Sequence, residues 1–330
     1  MKKIILTGDR PTGKLHLGHY IGSLVNRVKL QDPCDQYVML ADLQALTDNV
    51  ASVKQLSADV YNIAMDYLSV VIDPNKTTIL IQSQIPELTE LAFYYLNLVT
   101  ISRLERNPTV KSEIQQKKFD NSIPAGFFCY PVSQAADITG FKADLVPAGE
   151  DQAPMIEQTN EIVRKFNSTY QTNCLKEVKI VLSDTSRLVG IDGKSKASKS
   201  LNNAIYLSDP PDEIKRKIFE MYTDPNHIRI SDPGQVEGNV VFAYLDAFYS
   251  DKEALEDLKN HYRRGGLGDV TIKNLLNDTL QTFLAPIREI RNKIKREEIK
   301  EILYLGSNKA RKVVQNTVLE VREAMGINYF

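Results

Sequence analysis

The residues best suited to chemistry near the amino terminus stand in LTGDRPTGKLHLGHY (Leu6–Tyr20), where His16 and His19 flank Leu17 and Gly18. Half of the chain's four histidines thus lie within four residues. Zinc is one chemistry for such a pair, but zinc-binding histidines on a helix usually sit four apart and need further ligands close by. Here the spacing is three, His227 and His261 are remote, and Cys34, Cys129 and Cys174 form no CxxC pair. Phosphate is the other chemistry. A strand, a glycine-rich loop and a helix start present free N–H groups and a positive dipole end to an anion. Imidazoles there can donate to phosphate oxygens, and Gly18 lets a bulky ligand approach the backbone. The spacing alone leaves a plainer reading open, a strand–turn–helix whose histidines cap and solvate the turn.

Two further constellations stand out. GIDGKSKASKS (Gly190–Ser200) carries Lys194, Lys196 and Lys199 within six residues. Such a cationic loop suits phosphates, and taken alone it also reads as a solvated linker. In YPVSQAAD, Tyr130, Gln134 and Asp137 are spaced by four and three, which puts them on one face if the segment is helical. A site built on a buried acceptor rejects ligands that lack the matching donor, because the acceptor is then left unsatisfied. The alternative is a polar helix face turned to solvent.

The elements that position these residues follow from periodicity. Lys2–Thr7 is a short β-branched apolar run, which predicts a buried strand, and Gly8, Pro11 and Gly13 break the chain after it. From about Gly18, Ile21, Leu24, Val25 and Val28 recur at helical spacing. Gln36–Asp42 reads as a second strand, Ser52–Val71 as an amphipathic helix and Thr77–Ser83 as a third strand. Glu87–Arg106 and Lys111–Phe119 read as helices, and ADLVPAGEDQ is a strand-like stretch feeding the helix Ala153–Phe166. Val178–Ser183 reads as the last strand, and from about Pro211 helical periodicity dominates, with breaks at Gly234, Gly238 and Gly265–Gly268. This order predicts an α/β fold, a Rossmann-like doubly wound parallel sheet followed by a C-terminal helical domain. The expected division is 1–190, with an inserted helical segment at about 85–140, and 191–330. Ligands of such sheets gather at the carboxyl ends of the strands.

Composition sets the class. At 330 residues, with 42% apolar and 25% charged residues and a net charge of −1, the chain reads as an ordinary globular protein and not a polycation. A local basic face suffices for nucleic acid. REIRNKIKREEIK (Arg288–Lys300) places basic residues along a predicted helix, and YRRGGLGD (Tyr262–Asp269) reads as a flexible basic loop. The apolar run at the amino terminus is too short for a signal peptide, and none approaches the ~20 residues of a membrane span. Three scattered cysteines fit a reducing compartment, so a cytoplasmic protein without a membrane partner is expected.

HLGH (His16–His19) and KASKS (Lys196–Ser200) resemble the HIGH and KMSKS signatures of class I aminoacyl-tRNA synthetases, with Ala197 in place of Met. Within that class the whole chain resembles the tryptophanyl-tRNA synthetase family, through GDRPTGKLHLGHYIGSL, LERNPTVK, YPVSQAADI, VPAGEDQAPMIEQTNEIVRKFN and the lysine-rich loop. The resemblance implies activation of L-tryptophan by Mg-ATP, then transfer to tRNA(Trp), by a homodimer. It implies ATP contacts from Arg10, Thr12, His16, Gly18, His19, Gly149, Asp151, Gln152, Lys196, Ala197, Ser198 and Lys199. Of these, His16, His19, Lys196, Lys199 and Arg10 are expected to act in catalysis together with Lys111. Mg2+ is expected to be held by the ATP phosphates and not by protein side chains. Tryptophan contacts are implied for Leu6, Tyr130, Gln134, Asp137 and Gln152, with Asp137 as the indole acceptor.

The chain departs from the family pattern in places. Gln134 stands where most bacterial members have Met, and a Gln and an Asp at this spacing also resemble the phenol site of the tyrosyl family. Arg10 and Gln44 replace the usual Gln and His, which resembles the second, Arg-containing bacterial type. The tyrosyl family typically has a GG-x-DQ turn where this chain has Gly149-Glu150-Asp151-Gln152, and its bacterial members carry an additional C-terminal RNA-binding domain. The competing functions are therefore a tyrosyl enzyme and a non-charging paralogue that binds tRNA. The smaller HxGH adenylyltransferases lack both the GEDQ turn and the long helical part.

Overall fold

The computed structural model describes residues 2–50, 53–117, 119, 122–182, 188–199 and 201–329. Ser52 and Ser183, at ends of predicted elements, Lys118 within the predicted helix Lys111–Phe119, and Ser200 of the lysine-rich loop lie outside the described residues. Five strands form one parallel sheet: β1 (Lys3–Asp9), β2 (Cys34–Leu40), β3 (Thr77–Ile81), β4 (Leu145–Ala148) and β5 (Lys179–Leu182). Their order, β3-β2-β1-β4-β5, is Rossmann-like, with the direction of growth reversing between β1 and β4. Gln36–Leu40 of β2 is buried without alternation, as expected of a parallel strand covered on both faces. At Gly8 of β1 a Cβ would lie 2.4 Å from the Met39 carbonyl oxygen, so glycine is needed for the close approach to β2.

Contacts divide the chain into two compact units, and the division differs from consecutive segments 1–190 and 191–330. One unit comprises Met1–Thr12, Asn26–Asp184 and Lys295–Phe330. The other comprises Gly13–Val25 and Thr185–Ile294. The terminal helix Arg296–Met325 joins the sheet-bearing unit because it packs on β3. There Ser307 Oγ accepts from the Ile81 N–H at 3.1 Å, and a Cβ on Gly306 would lie 1.9 Å from the Ile79 carbonyl oxygen. Arg311 pairs with Glu87 at 2.8 Å and Arg322 with Glu90 at 2.7 Å, fastening the same helix to Pro86–Leu96.

Several predicted elements have shifted ends. β1 runs on to Asp9, β3 stops at Ile81 before a 3-10 turn at Gln82–Gln84, and Asp42 begins the helix Asp42–Asn49 instead of ending β2. The expected helix Glu87–Arg106 is two, Pro86–Leu96 and Ile101–Glu105, because the Thr100 hydroxyl accepts from the Arg103 N–H and starts a new helix. The next helix is Pro108–Lys117, and the one after β4 runs from Ala153 to Thr169.

In the second unit the longer helices are Pro211–Phe219, Val240–Phe248, Lys252–Arg264 and Asp269–Lys293, around buried Ile214, Leu245, Tyr262, Leu276 and Leu280. Two expectations are corrected here. Tyr262 is fully buried and Tyr262–Arg264 is helical, so the basic loop is confined to the glycines, with Gly265 and Gly266 at φ +84 and +104. The basic run Arg288–Lys300 is no single helix, because the chain breaks at Ile294 and Lys295. Among the described residues no helix is long and apolar enough to cross a membrane.

The contact at Gly306 gives a direct test of the packing. Gly306→Ala drives a methyl into the β3 backbone and is expected to lower stability by about 2 kcal/mol or more, read from the denaturant midpoint.

Candidate active site

In the second unit His16 is the N-cap of the short helix Leu17–His19 and is buried. Its Nδ1 accepts from the Gly18 N–H at 3.1 Å, and the Nδ1 of His19 accepts from the His16 N–H at 3.2 Å, a capping box made of two imidazoles. The ring centroids lie 3.8 Å apart. Because Nδ1 is the acceptor in both rings, the proton of each is assigned to Nε2, leaving that atom as the donor. Burial, then the fields of His19 and Lys199, push the His16 pKa down to about 2, so its imidazole is uncharged at neutral pH. Gly18 is required by the cap itself: a Cβ there would lie 2.9 Å from His16 Cε1 and Nδ1. The helix continues through a π turn, Tyr20–Leu24, a form frequent at functional sites.

The lysine-rich loop folds against this segment. The Leu17 N–H donates to the Ile205 carbonyl at 2.9 Å and the Leu207 N–H to that of Leu15 at 3.0 Å. Lys199 Nζ donates to the Gly13 carbonyl at 2.7 Å, and a Cβ on Gly18 would lie 3.7 Å from that of Ala197. Two signatures about 180 residues apart in sequence thus share one surface. Lys196 forms an antiparallel bridge with Val189, and the Ser198 N–H donates to Asn203 Oδ1 at 2.8 Å. Asn203, which the sequence reading missed, is buried and organises the loop. Its Nδ2 reaches Asp192 and Ser195 at 3.2 and 3.1 Å, and Gly190 leaves the room it needs, since a Cβ there would sit 2.1 Å from Nδ2. An asparagine after a lysine-rich turn carries no sequence signal for this role.

In the first unit Tyr130, Gln134 and Asp137 lie on one helix, Ala125–Gly140, as the spacing predicts. Tyr130 and Asp137 are buried and Gln134 is half-buried. Gln82 Nε2 donates to Asp137 Oδ1 and Oδ2 at 2.9 and 2.8 Å, and Gln82 Oε1 accepts from the Gln44 N–H at 3.1 Å. Burial raises the Asp137 pKa to about 7; the Gln82 hydrogen bonds oppose the rise and Asp42 adds to it. Asp42 Oδ1 in turn accepts from the Leu43 and Ser83 N–H groups. This network joins the carboxyl ends of β2 and β3, and neither Gln82 nor Asp42 was singled out from the sequence. Tyr130 packs with Phe127, Val110 and Met155, whereas Leu6 belongs to the main core with Tyr37, Met39 and Val132.

The remaining expected residues lie at the ends of β1 and β4 and on the helix Pro108–Lys117. Arg10 follows β1, half-buried, 3.9 Å from Glu113 on that helix, and Thr12 is exposed. Just before them, Asp9 is held by buried Arg27 at 2.6 Å and by the Tyr67 hydroxyl at 2.6 Å. Gly149 caps a 3-10 turn, Glu150–Gln152, directly after β4; Asp151 is exposed and Gln152 half-buried. Lys111 is exposed in the first turn of Pro108–Lys117, whose start is capped by Asn107 Oδ1. Thr109 Oγ1 donates to the Asp151 carbonyl at 3.0 Å, tying that helix start to the turn after β4. Among the described residues no group of three or more His, Cys, Asp or Glu side chains is placed to hold a metal ion.

The family model of class I tRNA synthetases (W and Y) matches residues 2–285. The tryptophan–tRNA ligase of Clostridium longisporum is 61% identical over 335 residues, covering 100% of this chain and 98% of the relative. That of Streptococcus pyogenes serotype M3 is 59% identical, covering 100% and 99%. Among solved structures, the tryptophanyl-tRNA synthetase of Campylobacter jejuni complexed with ADP and tryptophan has a TM-score of 0.87 at 30% identity, covering 98% of this chain and 99% of that one.

The cap geometry fixes an observable. Nitrogen NMR of the ring is expected to show His16 as the uncharged Nε2–H form with no titration from pH 8 down to 5, whereas an ordinary histidine protonates near 6.5. Asn203→Ala is expected to speed hydrogen exchange of the Ser198 amide at least about tenfold, by removing its acceptor.

Proposed function

We infer the reaction from the family to which this chain belongs, the class I tRNA synthetases for W and Y: it is a tryptophan–tRNA ligase. The observation that carries the reading is the meeting of the HLGH turn with the KASKS loop, through Lys199 on the Gly13 carbonyl and Gly18 beside Ala197. A tyrosyl specificity is not favoured, since relatives at 61% and 59% identity act on tryptophan by name. A non-charging paralogue is opposed by the chain's retention of both histidines, Lys196, Lys199 and Asp137.

In the first step a carboxylate oxygen of L-tryptophan attacks the α-phosphorus of ATP, the bond from that phosphorus to the bridging oxygen breaks, and pyrophosphate leaves with the electron pair. In the second, a terminal ribose hydroxyl of tRNA(Trp) attacks the carbonyl carbon and AMP leaves. The protein's task is to position these groups and to neutralise developing charge. We assign His16 and His19 to donate from Nε2 to ATP phosphate oxygens, with Gly18 giving access and Thr12 a further donor. Lys196 and Lys199 neutralise the departing pyrophosphate, with the Ala197 and Ser198 backbone beside them, and Lys111 serves the same charge. Arg10 binds the carboxylate or the α-phosphate. Gly149, Asp151 and Gln152 meet the ribose and, at Gln152, the substrate amino group. Mg2+ enters on the nucleotide's phosphates. Asp137 accepts the indole N–H, with Tyr130, Gln134 and Leu6 completing the tryptophan contacts. The working form is a cytoplasmic homodimer.

Pyrophosphate exchange into ATP, with each of the twenty amino acids supplied singly and no tRNA, is expected to proceed with tryptophan alone. Exchange with tyrosine would reassign Gln134 and Asp137 to a phenol, and exchange with none would favour the non-charging paralogue. His16→Ala and Lys199→Ala are each expected to slow exchange about a hundredfold or more. Asp137→Ala is expected to raise the KM for tryptophan about tenfold or more and to spare that for ATP. The sign of the pH dependence follows from the carboxyl. With a native pKa of about 7 against an ordinary 3.8, Asp137 keeps its proton when folded at pH values where the unfolded group has lost it. Its contribution to stability therefore declines as pH rises from about 4 to 7, while its strength as an acceptor grows. The KM for tryptophan is expected to fall as pH rises through about 7, and Asp137→Asn to flatten the profile.

A further inference from the structure

Asp137 is not placed by its own helix alone. Gln82, in the turn after β3 and 1% exposed, spans both oxygens of the carboxylate with one amide nitrogen. The amide cannot be reversed at low cost, because Oε1 is taken by the Gln44 N–H, and a flipped group would set its NH2 against that donor and its oxygen against the carboxylate. The orientation is therefore fixed from the backbone of the helix Asp42–Asn49 outward. Each carboxylate oxygen has two acceptor positions, so the Gln82 contacts leave one on each for a ligand.

We propose that Gln82 is a positioning residue for amino-acid selection, holding the Asp137 carboxyl aimed so that it can accept the indole N–H of tryptophan. The inference rests on the reading of Asp137 as that acceptor. Without Gln82, the carboxylate would lose its buried donor and keep its full desolvation. Asp42, whose Oδ1 is held by the Leu43 and Ser83 N–H groups, is the charged neighbour whose field reaches Asp137, and it opposes ionisation. Gln82 thus works against both burial and Asp42.

The test compares the full-length wild type, Gln82→Met and Asp137→Ala in pyrophosphate exchange. The substrates are tryptophan and β-(3-benzothienyl)alanine, in which sulfur replaces the indole N–H. Gln82→Met, similar in size but without a donor, is expected to raise the KM for tryptophan about tenfold or more. The KM values for the sulfur analogue and for ATP are expected to hold, and the pH midpoint of the tryptophan KM to move about one unit or more to the alkaline side. A variant that merely loosened the fold would weaken both amino acids alike and leave the midpoint in place, which would overturn the proposal. It also falls if Gln82→Met keeps the wild-type preference for tryptophan while Asp137→Ala abolishes it; the reading of Asp137 then survives. If Asp137→Ala keeps that preference, the reading of Asp137 fails and the selection role fails with it. Carbon NMR titration of the Asp137 carboxyl then decides separately whether Gln82 sustains its ionisation. Should Gln82→Met fail to fold, Gln82→Asn, one methylene shorter, withdraws the amide and carries the same expectations.

Discussion

The register of β1 against β2 is the constraint on which the sheet-bearing unit depends. Seven consecutive pairs, Lys3 with Cys34 through Asp9 with Leu40, bring both strands to their carboxyl ends together. Gly8 lets the two backbones close where a side chain would strike the Met39 carbonyl. Past that end the chain needs a buried cation to stay in place. Arg27, fully within the protein, donates to Asp9 and to the Gly8 carbonyl and lies over the Tyr67 ring. Burial works against its charge, but Asp9 and the Tyr67 hydroxyl outweigh it and hold its pKa above the ordinary value. Arg10 and the HLGH turn leave from this anchored point in sequence.

Buried polar groups carry much of the local order around the candidate residues within each unit. Asn203, Gln82 and Asn107 each donate through an amide nitrogen and accept through the paired oxygen, so each fixes two pieces of chain at once. Such groups are costly when half-satisfied, and their alternatives are accordingly few. Lys217 follows the same logic with charge: it is buried, donates to the Ala204 carbonyl and pairs with Asp209 at 2.7 Å, bracing the segment whose Ile205 and Leu207 pair with Leu17 and Leu15.

The legible parts of the chain were those whose signal is local. Short apolar stretches marked the five strands, and the spacing of Tyr130, Gln134 and Asp137 marked a shared helix face. The split of Glu87–Arg106 was missed because apolar spacing runs on across it, while the Thr100 cap that restarts the helix is one hydroxyl among many. Gln82 was absorbed into the strand reading of Thr77–Ser83, and its partner lies 55 residues away. Arg27 carries no local signal of its burial, since nothing nearby in sequence announces Asp9 and Tyr67 as its partners. The terminal helix was assigned with its sequence neighbours because its contacts with β3 are long-range.

The uncharged state of His16 has a consequence for how the proposed nucleotide site responds to its medium. Lysines draw a polyanion from a distance, and dissolved ions screen that pull over about 10 Å at 0.1 M. A neutral imidazole donating from Nε2 acts only at contact, where screening has little to remove. On the proposed roles, attraction and orientation are divided between two sets of residues, Lys196 and Lys199 for the first and the HLGH pair for the second. Under that proposal, ionic strength would tune how often the nucleotide arrives while leaving how it is held, once seated, nearly unchanged.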